Sequence, residues 1–248
     1  MCLLAFAWQV HAQYPLVLIA NRDEFYARPA QAIHYWLDAP HVLAGKDEQE
    51  GGTWLGVTKE GRWAALTNYR EPNAPKGVLS RGHLVAEFLK GHDEPLAYVQ
   101  ELATQNEQYS GFNLVVGTRN QAAVVSNRGT APQLLAAGIY GLSNALLDSP
   151  WPKTQRLKAG LSKLIAQEAI DTAQALVLLQ DQNQPLDEDL PDTGVGLVWE
   201  HLLATAFIKS PVYGTRASSV LLLGQDNMRL IEQTWLEGEQ GELRELGF

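Results

Sequence analysis

Met1-Cys2-Leu3-Leu4-Ala5-Phe6-Ala7 and Leu16-Val17-Leu18-Ile19-Ala20-Asn21-Arg22-Asp23-Glu24 are two β-prone runs separated by His11-Ala12-Gln13-Tyr14-Pro15. Apolar runs that bracket a short proline-containing segment signal a β-hairpin. With the turn centred near residue 12 or 13, antiparallel pairing sets residue i opposite roughly 25 − i. Cys2 then faces about residue 23, and Asn21-Arg22-Asp23-Glu24 returns to the amino terminus. Four polar residues in a row can be a strand exit turning into solvent. Beside Cys2 they gain a chemistry: a guanidinium favours thiolate, and a carboxylate can accept hydrogen bonds from a terminal amine.

Cys2 is the single cysteine among 248 residues. Loss of Met1, usual before a small second residue, gives one residue both a thiol and a free α-amine. Their reference pKa values are about 8.5 and about 7.7–8.0, so each is near its useful form at neutrality. A terminal amine can serve as base for its own side chain. The plainer reading is a small buried apolar residue that opens a strand.

A content of 46% hydrophobic and 19% charged residues is that of an ordinary globular protein, and 248 residues suit one large domain or two small ones. The net charge of −9 disfavours nucleic acid and anionic membrane as main partners. One cysteine excludes an internal disulfide and any multi-cysteine metal centre, and fits a reducing compartment. The apolar run at 2–8 is short, contains Trp8 and is preceded by no basic residue, so a secretory signal is rejected. No apolar run reaches the roughly 18 residues of a membrane span. A cytoplasmic protein is the expectation.

Thr53-Trp54-Leu55-Gly56-Val57-Thr58 and Trp63-Ala64-Ala65-Leu66-Thr67-Asn68 read as a second hairpin, with Gly51-Gly52 before it permitting a bulge or a close backbone approach. Asn68 ends its strand, where an amide caps a turn or points into a site. Residues 70–79 read as a loop. Two helices follow, one capped by Ser80 and burying Leu84, Val85, Phe88 and Leu89, the next capped by Asp93 with Pro95 in its first turn. Strands resume over 111–144, where Asn144 again ends a strand. A second helical pair spans 153–165 and 171–179, opened by Asp171 with Gln174 as a capping box. Residues 181–195 form a long loop or lid, and a short helix near 196–207 precedes strands over 217–223 and 228–235. Strands, helix pair, strands, helix pair, strands, without β–α alternation, imply an α+β domain of antiparallel sheets with helices outside.

Cys2, Ala20-Asn21-Arg22-Asp23-Glu24-Phe25, Thr53-Trp54-Leu55-Gly56, Leu66-Thr67-Asn68, Gly141-Leu142-Ser143-Asn144 and Tyr213-Gly214-Thr215-Arg216 together resemble the NRDE family, also known as the transport and Golgi organisation protein 2 family. The resemblance covers nearly the whole chain and implies a single domain over 1–248. It implies the four-layer αββα sandwich of N-terminal-nucleophile (Ntn) hydrolases, two antiparallel sheets flanked by helix pairs. The sequence is most similar to the cysteine branch, which includes penicillin V acylase and bile-salt hydrolase. By that analogy Cys2 is the nucleophile, Asp23 orients its amine and Arg22 biases the thiol. Asn68 and Asn144 match asparagines that donate to the oxyanion or position the nucleophile, and Arg216 is a second cation near the thiol. The acylases read Arg-Asn-x-Asp where this chain reads Asn21-Arg22-Asp23-Glu24, so the order differs at Arg22.

Three functions follow. The first is a cysteine hydrolase acting on a non-peptide C–N bond of a small or acyl-bearing amide, with no cofactor required. The second is a carrier of haem, lipid or acyl-CoA, because the family has been linked to haem trafficking. Six scattered histidines and two methionines single out no haem ligand. The third is a degenerate hydrolase fold used as an interaction module. The hydrolase is placed first because named residues converge on it.

Overall fold

In the computed structural model, which describes residues 2–248, β1 (Cys2–Trp8) and β2 (Leu16–Phe25) form the first hairpin. Then come β3 (Ala30–Trp36), β4 (Ala39–Asp47), β5 (Leu55–Thr58) and β6 (Trp63–Asn68). Helices α1 (Gly82–Lys90) and α2 (Pro95–Ala103) precede β7 (Phe112–Gly117), β8 (Ala122–Ser126), β9 (Gln133–Leu134) and β10 (Gly138–Leu142). Helices α3 (Pro152–Ile165), α4 (Thr172–Leu178) and α5 (Leu197–Leu203) lead to β11 (Tyr213–Leu223), β12 (Met228–Leu236) and β13 (Glu239–Gly247). The strands make two antiparallel sheets, ordered β10-β1-β2-β11-β12-β13 and β3-β4-β5-β6-β7-β8-β9.

Three apolar layers glue four structural ones. Leu4, Phe6, Trp8 and Leu18 of the first sheet meet Leu43, Val57 and Trp63 of the second. The other face of the second sheet packs Ala64, Leu66 and Leu114 on Val85, Phe88 and Leu89 of α1. The outer face of the first sheet packs Leu3, Ala5 and Ile19 on Leu157 and Leu161 of α3 and Ala175 of α4. The result is the expected αββα sandwich. Strands β1, β2 and β11 are covered on both faces, which is why their sequences run apolar without alternation. No helix among the described residues is long and apolar enough to cross a membrane; this says nothing of crossing by strands.

The hairpin register differs from expectation by one residue: Cys2 pairs with Arg22 and Trp8 with Leu16, a centre at residue 12. A slip of one residue exchanges faces. Arg22 therefore shares the inner face with Cys2, and Asp23 turns to the helix side. Strand β2 also continues through the polar Asn21-Arg22-Asp23-Glu24 to Phe25, because β11 pairs with it there. Two expected caps are corrected. Arg81 and Glu94, not Ser80 and Asp93, hold the cap positions of α1 and α2, and neither makes a side-chain cap bond. Asp171 does cap α4, accepting from the Ala173 and Gln174 N–H groups. Strands β3 and β13 were not expected. Both are sheet edges: β13 is largely exposed and polar, and β3 is only partly buried, without the regular apolar alternation that marks a half-buried strand.

Gly52 and Gly82 place the start of α1 directly against the loop before β5. Thr53 N–H donates to Gly82 O at 3.1 Å, and a Cβ on Gly52 would stand 2.3 Å from the Gly82 carbonyl carbon. That contact is backbone and cannot rotate away. Gly52→Ala is expected to destabilise the fold by about 1–3 kcal/mol. Thermal denaturation checks this as a Tm lowered by a few degrees.

Candidate active site

A cavity of about 390 Å³ opens at one end of the two-sheet layer, a size suited to a small molecule. Cys2, Arg22, Asp23 and Glu24 border it from the first sheet, while Asp47, Trp54, Leu66 and Asn68 reach it from the second. The loop over 76–82 supplies a further wall. Cys2 is buried at 9% exposure, so its sulfur meets this cavity and not bulk solvent.

Arg22 stands directly across the ladder from Cys2 and is slightly more buried. Its Nη2 donates to Asp47 Oδ2 at 2.9 Å, and its guanidinium lies 4.3 Å over the Trp54 ring. Arg28 donates to the same carboxylate at 2.7 and 3.2 Å, and the Gln49 and Glu50 N–H groups at 3.1 and 3.0 Å. Burial alone pushes the Asp47 carboxyl up. The Arg28 hydrogen bonds, the Glu50 N–H and both guanidinium charges more than offset it, so Asp47 titrates below its ordinary value. For Cys2 the balance goes the other way: burial raises the thiol, Asp23 adds to it, and Arg22 opposes without prevailing. The thiolate bias expected from Arg22 is thus outweighed. Part of that guanidinium's charge is already answered by Asp47.

Asn21 and Asp23 belong to the other face. Asn21 donates to Leu179 O at 2.7 Å and Ala206 O at 2.8 Å, and accepts from the Ser218 hydroxyl at 2.6 Å. The first two bonds pin the end of β2 to the helical layer, and the third ties it to β11. Asp23 accepts from the Thr215 hydroxyl at 2.7 Å, and burial raises its pKa against the opposing charge of Lys153. Lys153, at the start of α3, is buried and donates to Leu203 O at 2.8 Å. Burial, aided by Arg70, brings its amine down to about 8. Whether Met1 is kept, on which a free α-amine at Cys2 depends, lies outside the described residues.

The remaining expected residues separate. Asn68 lines the cavity at the end of β6. Asn144 lies behind it: its Nδ2 donates to Asn68 O at 2.9 Å, and its own carbonyl accepts from Arg70 N–H at 2.8 Å. Arg216 is the extra residue of a bulge, where Thr215 pairs with Asp23 but Ala217 pairs with Arg22. Its Nη1 donates to the carbonyls of Phe25, Tyr26 and Arg28 at 3.0, 3.1 and 3.1 Å. It braces the turn that carries Arg28, and neither it nor Asn144 is part of the cavity wall.

Sequence reasoning passed over Asp47, Lys153 and Glu232. Asp47 sits in Lys46-Asp47-Glu48-Gln49-Glu50, a run that reads as solvated loop. Its only local signal is the Gly51-Gly52 pair that folds the loop inward. Glu232 lies buried on the inner face of β12, where Oε1 accepts from Ile33 N–H at 2.9 Å. Among the described residues no cluster of three His, Cys, Asp or Glu side chains is arranged to hold a metal ion.

A family model described as Transport and Golgi organisation 2 matches residues 1–237. A Bos taurus Transport and Golgi organization protein 2 homolog is 38% identical over 235 residues, covering 86% of this chain and 83% of its own. The Drosophila melanogaster Transport and Golgi organization protein 2 is 30% identical over 264 residues, covering 94% and 92%. Among solved structures, the C2A mutant of conjugated bile acid hydrolase from Clostridium perfringens superposes with a TM-score of 0.57. It is 8% identical and covers 98% of this chain and 92% of its own. The Caenorhabditis elegans N-acylethanolamine-hydrolyzing acid amidase ortholog gives a TM-score of 0.55 at 10% identity, over 89% and 92%. These likenesses show the fold: two sheets and their helices arranged as in Ntn hydrolases.

Glu232 gives the site region a pH signature. Burial raises its carboxyl to about 7, against the Ile33 N–H and the Arg22 charge. An unfolded glutamate ionises near 4.3, so between roughly pH 4.3 and 7 the folded chain holds the extra proton. Stability from this group is therefore present at low pH and lost as the pH rises through that window. Glu232→Gln removes the dependence: its Tm relative to wild type is expected to rise between pH 5 and 8, by a free energy of about 3 kcal/mol.

Proposed function

The chain belongs to the Transport and Golgi organisation 2 family, and from that premise we propose that it is an N-terminal cysteine hydrolase of a non-peptide amide. The observation that carries the reading is the placement of the single thiol on the cavity wall, with Arg22 across the ladder, Asn68 beside the same space and Asp23 at the strand end. The names of the two structural neighbours, a conjugated bile acid hydrolase and an acid amidase, agree with it. A reducing, cytoplasmic compartment suits a protein whose one thiol must stay free.

Burial holds the Cys2 thiol protonated at neutrality, so the nucleophile needs a base at hand. With Met1 removed, the α-amine of Cys2 takes the thiol proton as Sγ attacks the amide carbonyl carbon. Asn68 donates to the oxyanion. The amine then returns the proton to the leaving nitrogen, the C–N bond breaks, and a thioester remains on Cys2. Water attacks that thioester, loses its proton to the same amine, and releases the carboxylic acid. Asp23 holds the amine in place, and Asn144 holds the Asn68 backbone.

A carrier of haem, lipid or acyl-CoA is the second reading, favoured by the exposed Val78 and Leu79 on the cavity wall. None of the described wall residues is a histidine or methionine, so haem iron bound there would take Cys2 as its axial ligand. A haemin complex formed equally well by Cys2→Ala, on protein still bearing Met1, would decide for a carrier with its iron held elsewhere.

Intact mass is expected to show a chain beginning at Cys2. Cys2→Ala is expected to lower amide turnover at least about a thousandfold. Asn68→Ala is expected to lower kcat about a hundredfold to a thousandfold, the effect of losing one oxyanion donor. Cys2 alkylation by iodoacetamide should accelerate through the alkaline range, above the roughly 8.5 of an ordinary thiol, with no plateau at neutral pH.

A further inference from the structure

Among the described residues, two cations on the cavity wall, Arg81 and Lys76, make no ion pair. Arg81, the residue before α1, lines the wall opposite the first sheet, and its Nη1 donates to Gly111 O at 2.8 Å. Among the described residues no carboxylate lies within ion-pairing distance of it. Glu71, on the far side of the Gly111 peptide, accepts Arg128 at 2.6 and 2.7 Å and Gly111 N–H at 2.9 Å. Glu24 is turned to Phe25 N–H at 2.9 Å and lies 3.9 Å from Arg28. Arg22 and Arg28, by contrast, are both engaged by Asp47. Lys76 borders the same wall and likewise has no ion pair among the described residues.

The position of Arg81 is well determined. Its neighbour Gly82 abuts Gly52 backbone to backbone, and its own guanidinium is anchored at one corner by Gly111. A guanidinium has five donors in a planar fork, and one anchored donor leaves an edge for a planar acceptor with two oxygens. A half-buried cation with that edge free, sharing a cavity with a nucleophile, is complementary to an anionic group on the same ligand.

We propose that Arg81, with Lys76 on the same cavity wall, forms a carboxylate-binding subsite, so that the amide attacked by Cys2 carries a carboxylate remote from the scissile bond. The subsite stands on the cavity's geometry; assigning it to an amide substrate rests on the hydrolase reading.

The test uses the full-length protein and two alkylating reagents that differ by one charge. The Cys2 thiolate displaces iodide from iodoacetate or from neutral iodoacetamide, and the ratio of the two rates cancels any change in thiol pKa. Relative to free N-acetylcysteine, the wild-type ratio is expected to favour iodoacetate, and Arg81→Gln to lower it about fivefold to tenfold. Arg81→Lys keeps the charge and should keep the preference. Glutarate should protect wild type from iodoacetamide and fail to protect Arg81→Gln. A wild-type ratio no higher than that of N-acetylcysteine overturns the subsite. So does an unchanged ratio in an Arg81→Gln protein whose circular dichroism and Tm match wild type. Either result leaves the hydrolase reading standing. If Cys2 reacts with neither reagent, the hydrolase reading falls and calorimetric titration with glutarate decides the subsite. Saturable binding that weakens at least about tenfold in Arg81→Gln upholds it, and no binding to wild type overturns it.

Discussion

The Asp47 carboxylate ties the two sheets together at the end where the cavity opens. It belongs to the second sheet, and its partner Arg22 belongs to the first, so their 2.9 Å bond crosses the sandwich. Both groups are largely removed from water, and in such a pair loss of one member costs roughly 3–5 kcal/mol because the other is left charged and buried. Arg28 and two N–H groups complete the coordination of Asp47, so the loop after β2 and the loop after β4 are held by the same oxygens. Arg216 fixes the first of these loops from behind through three carbonyls. The cavity wall is therefore set by a chain of charged contacts, each anchored to regular structure.

That arrangement has an electrostatic consequence for the sulfur. A cation already answered by a carboxylate draws little additional negative charge, and burial then governs the thiol. Cys2 is a buried thiol with a raised pKa in the resting protein, and the proposed hydrolysis therefore calls on a base at the chain's own end. The same low-dielectric surroundings hold Lys153 near 8 and Glu232 near 7, on opposite faces of the first sheet. Of these three displaced groups only Cys2 lines the cavity. Arg81 differs from all of them in being neither neutralised nor fully enclosed.

The contrast among the asparagines shows how far strand-end residues can be read. Asn68 and Asn144 both end strands, and both stood out for that reason. One reaches the cavity, and the other holds the first one's backbone. Asn21, the first residue of the polar run, anchors β2 to the helical layer by two hydrogen bonds and to the neighbouring strand β11 by a third. Side-chain alternation explains the difference: residues 21 and 23 face the helices, and residue 22 faces the sulfur.

Local chemistry in the chain determined the hairpin, the helix pairs, the layered α+β order and the closeness of Cys2 to the Asn21–Glu24 run. Apolar runs and prolines act over a few residues, and so they are legible from spacing alone, whereas of the three expected caps only Asp171 holds its place. The edge strands β3 and β13 were illegible because an edge needs no continuous apolar face. The register to within one residue, and with it which of Arg22 and Asp23 shares a face with Cys2, came only from pairing with β11. Asp47 and Arg81 reach the cavity through turns and a glycine-to-glycine contact between segments some thirty residues apart (Gly52 and Gly82). No short-range pattern records such an encounter, because the free energy that fixes it comes from packing the two halves of the molecule together.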